Sequence, residues 1–487
     1  MNFAFDNSFY DSMEGFYAPA EAAQPSAPKL LIFNQALAER LGLVIEGATD
    51  DQLARIFSGE ETPDGANPLA LAYAGHQFGH FSPQLGDGRA LLLGEILAPD
   101  GARFDVQLKG SGPTAFSRNG DGKAAIGPVL REFLVSEAMA AMGVPTTRSL
   151  AAVTTGDRVQ RERVHPGAVL TRVASSHIRV GTFQFFAAHF GADHVIRLSD
   201  YSVRRHFPDL ADAPKPHLAL LDRAIGLQCE LVAHWLGVGF IHGVMNTDNV
   251  AISGETIDYG PCAFMDHFAV DTVFSSIDAN GRYAYGRQPQ ILHWNMARFA
   301  EALLPAIHAV DPAGVEEAKA LVEAIPGRFR AIWLDRMRTK LGLAAAGGHD
   351  AKLIDNLFGE LEQHRVDFTS FFRALAMLLR GDASTLERLL PSPDAMAPWI
   401  ADWRAQVKQT DVHPRERADT MDAVNPLYIP RNHRVEAALE AAEQGDMAPW
   451  LKLLDVVRHP FVANPAWDEY ATPSPEDFGP YKTFCGT

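Results

Sequence analysis

The sequence predicts an α+β fold in which a β-rich lobe is followed by a helical lobe and a helical C-terminal region. Strand-like runs at Ala90 to Leu97 and Arg103 to Leu108 are joined by a segment whose Asp-Gly pair is a strong turn signal, which predicts a hairpin. Helical periodicity dominates later, over Leu218 to Leu236 and again beyond Ile291. These patterns predict four regions: an N-terminal extension (1–65), a β-rich lobe (66–155), a helical lobe (156–330) and a helical C-terminal region (331–487).

Shorter elements complete the predicted N-terminal half. Leu30 to Leu41 and Asp50 to Ser58 carry helical patterns, and Gly127 to Met142 is predicted to be a longer helix. Ser149 to Thr154 and Ala168 to Val173 have the composition of further strands. We therefore expect a mainly antiparallel small lobe.

Composition and charge exclude several classes of partner. The 487 residues, 47% of them hydrophobic and 21% charged, are typical of a globular protein with more than one packed unit. A formal net charge of -17 argues against nonspecific nucleic-acid binding, which needs a basic surface. No stretch approaches the roughly 20 apolar residues that span a bilayer, and no targeting pattern is visible. We expect neither a nucleic-acid partner nor a membrane.

Cysteine usage indicates a reducing compartment. The chain has only Cys229, Cys262 and Cys485, an odd number that does not suit a secreted disulfide framework. We therefore expect a cytoplasmic protein. Cys485 lies third from the end, where a thiol could be reached by a redox partner, although an ordinary exposed cysteine is an equal alternative.

The most informative segment runs from Phe240 to Ile252 and is followed by Asp-Tyr-Gly at 258–260. Its spacing is that of the catalytic loop and metal-binding turn of a protein kinase. His242 and Asn249 stand at kinase positions, but Val244 stands where the catalytic Asp would be. Because valine cannot accept a proton, ordinary phosphoryl transfer loses its base. A protein-kinase-like two-lobed fold is predicted, with a site that is either inactive or performs different chemistry.

Lys109 and Glu132 form the second candidate constellation. Lys109 ends the second strand of the predicted hairpin, as the phosphate-binding lysine of a kinase does. Helical spacing puts Glu132 on one stripe with Val129, Ser136 and Met139, so its carboxylate needs a cationic partner. The two residues predict the ion pair that positions a lysine on nucleotide phosphates, and a surface salt bridge is the alternative.

Two glycine-rich segments flank this pair. Residues 84–89 precede the first strand, and residues 110–127 lie between the lysine and the helix. Glycines let backbone amides approach phosphates, and both segments carry cations, Arg89 in the first and Arg118 and Lys123 in the second. A modified phosphate site is one interpretation, and a solvated loop is the other.

Arg172 and Arg179 are candidate anion ligands. Arg172 projects from a strand of otherwise apolar type, which costs free energy unless it meets an anion. That anion could be a phosphate or a structural carboxylate. Arg179 follows closely and could serve the same pocket, since guanidinium groups suit bidentate phosphate contacts.

Asn249 and Asp258 are candidate ligands of Mg²⁺ or Mn²⁺, because both offer hard oxygen atoms. Asp248 is the nearest carboxylate able to replace the missing base. Between them, residues 250–252 and 256–257 are predicted to pair as a tiny hairpin. Plain turns remain an alternative for Asn-Asp and Asp-Tyr-Gly taken separately.

Together these motifs resemble the selenoprotein O (SelO/YdiU) family, and the likeness covers nearly the whole chain. The segments that carry it are 71–80 (LAYAGHQFGH), 84–89 (QLGDGR), 107–113 (QLKGSGP), 240–249 and 257–266 (IDYGPCAFMD). The resemblance implies a kinase-like protein adenylyltransferase that transfers AMP from ATP to Ser, Thr or Tyr hydroxyls of proteins, with ATP bound in reversed orientation. For some bacterial members it also implies UMP transfer from UTP with Mn²⁺.

The resemblance implies a role for each matching residue. Asp248 would be the proton acceptor, with Lys109 and Glu132 completing the catalytic set. Asn249 and Asp258 would bind the metal. The nucleotide site would comprise Gly86, Gly88, Arg89, Lys109, Asp121, Gly122, Arg172, Arg179 and Asp258.

One departure from the family concerns cysteine. Some bacterial members pair a C-terminal cysteine with one that follows the metal-binding turn, but residues 272–276 (TVFSS) contain none, which makes such redox gating doubtful here. Cys262 is predicted to be packing. Two further hypotheses stay open, namely a catalytically silent nucleotide-binding scaffold and a kinase that uses a displaced base.

Overall fold

The fold is that of a computed structural model, which describes residues 3–343, 349–392 and 394–484. Cys485, the candidate contact for a redox partner, lies outside the described residues. The chain mixes one large sheet with many helices, so the predicted α+β class is confirmed. Within these three ranges, no helix is both long and apolar enough to cross a membrane.

The strands are mostly in the first third of the chain. Their bounds are β1 Tyr17–Pro19, β2 Lys29–Phe33, β3 Leu69–Leu71, β4 Gly75–Gln77, β5 His80–Ser82, β6 Ala90–Leu97, β7 Arg103–Lys109, β8 Ala124–Ala125, β9 Arg148–Gln160, β10 Val164–Ala174, β11 Phe240–Ile241 and β12 Ala263–Phe264. The main sheet is antiparallel, in the order β1-β3-β6-β7-β10-β9-β2, with β8 paired to β10. β4 pairs with β5 and β11 pairs with β12 in two small sheets.

Helices make up most of the remainder. Their bounds are α1 Ser8–Ser12, α2 Gln35–Arg40, α3 Asp50–Ser58, α4 Ile126–Ala141, α5 Val180–His189, α6 Ala192–His206, α7 Pro216–Gly237, α8 Gln288–Val310, α9 Gly314–Glu323, α10 Ile325–Lys340, α11 Asp350–Gln363, α12 Phe368–Leu379, α13 Ser384–Leu389, α14 Ala397–Val407, α15 Pro414–Asp422, α16 Asn432–Glu443, α17 Ala448–Val457 and α18 Asp468–Ala471. Short 3₁₀ turns include Thr247–Asn249 and Tyr285–Arg287.

The predicted β6–β7 hairpin is confirmed, and its second strand is central to the molecule. Ala90 pairs with Lys109 at one end and Leu97 with Arg103 at the other. Because side chains alternate along a strand, Val106 and Leu108 of β7 lie on the same face and enter one hydrophobic core. The polar residues of β7, which are Arg103, Asp105, Gln107 and Lys109, share the opposite face.

The sheet is covered on both sides. On the face of Val106, Leu53 and Phe57 of α3 lie in the same buried cluster. On the other face, α4 packs against β9 and β10 and contributes Phe133 to a larger core that continues into the helical half. The C-terminal region returns to α4, where Trp450 of α17 donates a hydrogen bond to the Leu130 carbonyl oxygen (3.3 Å). The face of β7 that carries polar residues is therefore directed toward α4 and the helical half.

Two predicted elements differ in the structure. The single helix expected over 30–41 is instead strand β2 followed by α2, because β2 pairs with β9 at the sheet edge and Asn34 caps the helix. The predicted pairing of residues 250–252 with 256–257 is also wrong. Ala251 forms an isolated bridge with Arg179, and Thr256 forms one with Thr146, so the segment joins two other parts of the chain.

The sheet crosses the predicted boundaries between regions. β1 and β2 come from residues 1–65, and β10 lies beyond residue 155. The division into 1–65, 66–155, 156–330 and 331–487 stays a prediction.

Candidate active site

A cavity of about 840 Å³ opens where β6, β7, α4 and the 244–261 segment meet. Most of the residues predicted for the site line it, although they come from distant parts of the sequence. These are Gly88, Arg89, Lys109, Glu132, Arg172, Arg179, Asp248, Asn249 and Asp258.

Lys109 lies between two carboxylates at the end of β7. Its Nζ atom is 2.6 Å from Oε2 of Glu132 and 2.8 Å from Oδ1 of Asp258. The predicted pair of Lys109 and Glu132 is therefore present, and it is not a surface salt bridge, since the side chain of Glu132 is only 6% exposed. The strand end and the helix fix the ammonium group at the cavity wall.

Arg172 of β10 is tied to the same carboxylates from the neighbouring strand. One terminal nitrogen is 2.7 Å from Oδ1 of Asp258 and 3.2 Å from Oε1 of Glu132. Its other two nitrogens donate to Oε1 of Gln107, at 2.6 and 3.1 Å. Gln107 was not among the predicted site residues, although its place two residues before Lys109 on a strand puts it on the same face.

Arg179 adds a third cation just before α5. Its guanidinium group is 3.5 Å from Oδ2 of Asp258 and 3.9 Å from Oδ1 of Asp87, and it lies 4.3 Å above the Tyr73 ring. Asp87 also accepts a hydrogen bond from the Gln107 amide (3.1 Å). Asp87 and Tyr73 were not predicted as site residues, yet both belong to the motifs at 84–89 and 71–80.

The carboxylate of Asp258 is the common partner of Lys109, Arg172 and Arg179. Its backbone is in the left-handed region (φ 64°), a conformation that a non-glycine residue adopts only where neighbouring contacts hold it. Burial alone would raise the pKa of this carboxyl, but the three cations outweigh burial and hold its pKa well below the ordinary value. Asp258 is therefore ionised and able to bind a cation.

Asp248 differs from Asp258 in having almost no partner. The carboxyl is buried in the turn Thr247–Asn249, its Oδ1 atom has no hydrogen-bond partner, and its Oδ2 atom is 3.5 Å from the Gln77 amide. Burial raises the pKa of Asp248 to about 6, although the charge of Arg179 opposes the shift. A poorly solvated carboxyl that lines a cavity is suited to accept a proton.

Close backbone approach keeps Asp248 in this position. A side chain at Gly75 would collide with the carboxyl group of Asp248, and one at Gly181 would collide with the Ala74 carbonyl oxygen. The adjacent Thr247 hydroxyl accepts a hydrogen bond from the His76 backbone N–H (2.7 Å). Strand β4 therefore packs directly on the turn that carries Asp248.

Oxygen atoms suited to a hard divalent cation are present at this wall. The Asn249 amide donates to the Val244 carbonyl oxygen (2.9 Å), which leaves the amide oxygen as the free acceptor of that group. Together with the ionised Asp258 carboxylate, this amide oxygen forms a donor set that fits Mg²⁺ or Mn²⁺. In the described ranges, no group of three or more His, Cys, Asp or Glu side chains offers an alternative metal site.

His242 and Val244 hold neighbouring parts of the site in place through hydrogen bonds. The His242 ring is fully buried, and its Nε2 atom lies 2.9 Å from the Ile257 carbonyl oxygen, which ties the loop to the turn that carries Asp258. Burial lowers the pKa of His242, so the ring is neutral. Val244, at the position of the expected base, supplies the backbone oxygen that orients Asn249.

The two glycine-rich segments pack on each other. Gly86 has φ 84°, and a side chain there or at Gly88 would collide with residues 116–117. The Thr114 hydroxyl donates to the Asp87 carbonyl oxygen (2.6 Å). Of the cations in these segments, Arg89 and Arg118 line the cavity.

Asp121 and Gly122 do not line the cavity, unlike the other polar residues predicted for the nucleotide site. Asp121 forms an ion pair with Arg161 at 2.9 Å, and its side chain is 43% exposed. Gly122 has φ 64° and lies against the backbone of Gly112, so it shapes the loop. Gly86 does not line the cavity either, although the two residues that follow it, Asp87 and Gly88, do.

Cys262 is fully buried, as predicted for a packing residue. Burial raises the pKa of its thiol to about 11, and its carbonyl oxygen accepts a hydrogen bond from Arg131 (2.7 Å). A thiol of this kind is unreactive.

Comparison with known proteins agrees with the resemblance. A family model described as "Protein adenylyltransferase SelO" matches residues 1–458. Proteins named "Protein nucleotidyltransferase YdiU" are 78% identical in Sphingopyxis alaskensis over 487 residues and 54% identical in Cereibacter sphaeroides over 489 residues, in both cases across the full length of the two chains. One from Chromobacterium violaceum is 53% identical over 97% of this chain and 99% of its own. The chain therefore belongs to the SelO/YdiU family of protein nucleotidyltransferases.

Proposed function

We propose that this protein is a protein adenylyltransferase that transfers AMP from ATP to Ser, Thr or Tyr hydroxyls of other proteins and releases pyrophosphate. The observation that carries the proposal is the position of Asp248, a buried carboxyl at the wall of a cavity lined by arginine and lysine. The proposal includes a protein-kinase-like two-lobed fold, a cytoplasmic location and a Mg²⁺ or Mn²⁺ ion.

The cations of the cavity suit a triphosphate. Lys109, Arg172 and Arg179 converge on Asp258, and Arg89 and Arg118 line the same cavity. Guanidinium groups bind phosphate oxygens in a bidentate manner and remain charged. A triphosphate whose terminal phosphates are held by these groups would present its α-phosphate to Asp248, which is the reversed orientation that the family resemblance implies.

Transfer would then proceed by in-line displacement at the α-phosphorus. The acceptor hydroxyl oxygen forms the new P–O bond, Asp248 takes its proton, and the bond to pyrophosphate breaks. Lys109 and the arginines neutralise the charge on the leaving group, while Glu132 keeps Lys109 in position. A divalent cation held by Asn249 and Asp258 would supply further charge neutralisation when bound.

Three alternatives make different predictions. UMP transfer from UTP with Mn²⁺ would use the same residues and a different base pocket. A kinase with Asp248 as a displaced base would transfer the γ-phosphate. A silent scaffold would bind nucleotide and transfer nothing.

Incubation of the full chain with ATP labelled at the α- or the γ-phosphate, in the presence of Mg²⁺ or Mn²⁺, separates these outcomes. We expect label on protein from α-labelled ATP and none from γ-labelled ATP. Retention of the γ-label alone would refute the proposal in favour of a kinase, and binding without any label would favour a scaffold. Lys109→Ala should abolish the label, and α-labelled UTP tests the second nucleotide.

A further inference from the structure

A cationic and aromatic patch beside Asp248 has no part in the proposed chemistry. We define the acceptor patch as His76, Phe81, Arg282 and Trp294. The His76 ring lies 4.9 Å from the Phe81 ring and 5.1 Å from Trp294, and the Arg282 guanidinium group lies 4.9 Å from the centre of Trp294. Phe81 is 44% exposed, so the patch reaches the surface.

The patch is tied to the turn that carries Asp248. Asn246 Oδ1 accepts hydrogen bonds from the Phe78 backbone N–H (3.0 Å) and from the Tyr283 hydroxyl (2.6 Å). Phe78 lies between the two patch-bearing strands β4 and β5, and Tyr283 follows Arg282. The acceptor patch therefore has a fixed position relative to Asp248.

Arg282 is held without a carboxylate. Its Nε and Nη2 atoms are buried and have no hydrogen-bond partner, and no ion pair among the described residues includes it. Its guanidinium group lies 4.9 Å from the Trp294 ring and 5.7 Å from the Tyr283 ring. The nearby Asp278 uses its two oxygens on the backbone N–H groups of Arg282 (2.8 Å) and Tyr283 (2.7 Å). By contrast, Arg298, on the same indole ring, pairs with Glu301 at 2.5 Å.

Within the described residues, no ion pair balances the positive charge of Arg282, so this charge can attract an anion that arrives with a ligand. That ligand is not the nucleotide, because none of the four patch residues lines the cavity. Gln77, Phe78 and Asn246 do line it, beside Asp248. The acceptor patch thus adjoins the cavity at the end where an acceptor hydroxyl must enter.

We propose that the acceptor patch binds an acidic side chain of the protein substrate, close in sequence to the hydroxyl that receives the nucleotide. Arg282 would pair with the carboxylate, and Phe81 and Trp294 would cover the adjoining apolar atoms of the acceptor segment. The inference rests on the proposed function and adds a preference for acidic acceptor segments. Such a preference is notable in a chain of net charge -17, which repels acidic partners over most of its surface.

Peptide binding tests the proposal without requiring transfer. The probe is a fluorescent peptide in which a central serine is flanked by aspartates, matched by one with asparagines in their place, and affinity is measured by anisotropy with a non-hydrolysable ATP analogue present. We expect the aspartate peptide to bind about tenfold more tightly to the wild-type chain, and Arg282→Gln and Arg282→Glu to remove that preference. Equal binding of the two peptides, or a preference that survives both variants, would overturn the proposal.

The matched control is Arg287→Glu, which makes the same change of charge as Arg282→Glu on an exposed residue of the following turn. It should keep the preference for aspartate. Melting temperatures of all variants show that the fold persists, and the neutral Arg282→Gln covers the case in which charge reversal unfolds the protein. Loss of α-label from every acceptor with the peptide preference intact would count against the proposed function alone.

Discussion

Asp105 and Lys109 lie on the same face of β7, yet the charged clusters that they join differ in kind. Lys109 belongs to the cavity cluster, which we define as Lys109, Glu132, Arg172, Arg179 and Asp258. Asp105 belongs to the closed cluster, defined as Glu95, Asp105, His177 and Arg205. Arg205 is 2.6 Å from Asp105 and also pairs with Glu95, and His177 Nδ1 is 3.0 Å from Asp105.

The clusters differ in access. Every member of the cavity cluster lines the cavity, and no member of the closed cluster does. The closed cluster joins the sheet to α6 through Arg205, which also donates to the Ser175 carbonyl oxygen at 2.7 Å. Buried ion pairs alone therefore do not identify an active site, since they serve equally to join elements. The cavity cluster differs from the closed cluster because it borders an opening for a ligand and has Asp248, a carboxyl with few partners, beside it.

The largest expected difference between the two ends is in catalysis. Asp258→Asn should lower AMP transfer at least about 10³-fold, because it removes the proposed metal ligand and the partner of three cations. Asp105→Asn, the same change in the closed cluster, should leave kcat within about tenfold of wild type. Transfer from α-labelled ATP, measured below the melting temperature of each variant, gives both numbers. Similar losses of transfer in the two variants would show that the cavity cluster and the closed cluster do not differ in their importance for catalysis.

Asp248→Asn tests whether activity and stability oppose each other at the cavity. Transfer should fall about a hundredfold or more, the effect expected for loss of a general base. The melting temperature should rise, because a neutral amide replaces a buried carboxylate with an unpartnered oxygen. Calorimetry and the labelling assay measure the two effects. Asp209→Asn, an exposed carboxylate that is paired with Arg223, is the control that should change neither.

Arg205→Met should lower the stability of the fold and leave nucleotide binding nearly unchanged, which is the reverse of the pattern expected for Asp248→Asn. Removal of the cation leaves Glu95 and Asp105 buried without their main partner, which costs about 3–5 kcal/mol of unfolding free energy. Nucleotide affinity should stay within a few-fold of wild type, since Arg205 does not line the cavity. Urea unfolding and a nucleotide-binding titration test this. A large loss of nucleotide affinity at unchanged stability would mean that the closed cluster acts on the site.

The smallest expected effect concerns pH. Glu255 accepts hydrogen bonds from the Ser175 backbone N–H (3.0 Å) and hydroxyl (2.9 Å), beside the closed cluster, and burial raises its pKa from 4.5 to about 7. The folded state thus binds a proton that the unfolded state releases, so stability falls as the pH rises from 4.5 to about 7, by about 1 kcal/mol per pH unit.

Glu255→Gln mimics the protonated side chain and should flatten this part of the stability curve. Unfolding free energies from urea titrations between the two pKa values provide the check. A slope equal to that of wild type would show that another group is responsible.

Local patterns predicted much of the fold. The β6–β7 hairpin follows from its turn signal, and α4 and α7 follow from periodicity, because these elements are stabilised by contacts close in sequence. The helix expected over 30–41 failed, since the strand at Lys29–Phe33 exists only by pairing with β9, more than a hundred residues later. β-Structure depends on such distant partners more than helices do.

The candidate site was likewise predictable only where local motifs carried the signal. Lys109, Glu132 and Asp248 could be selected from motif spacing, and the structure brings them to one cavity. Gln107 and Asp87 lie within the motifs at 107–113 and 84–89 but were missed, because their importance comes from contacts with Arg172 and Arg179 across the sheet. Alternation along β7 was the available signal for Gln107.

The sequence alone determined the family, the β6–β7 hairpin, the longer helices α4 and α7, and the chemical types gathered in its motifs, since these depend on residue identity and short spacings. Only the tertiary structure decided which charges face a cavity and which are enclosed. Asp105 and Lys109 have the same local setting on β7, and their environments differ because α6 covers one end of the strand and leaves the other open to ligand. Access and pairing depend on the packing of elements remote in sequence, which no local pattern records.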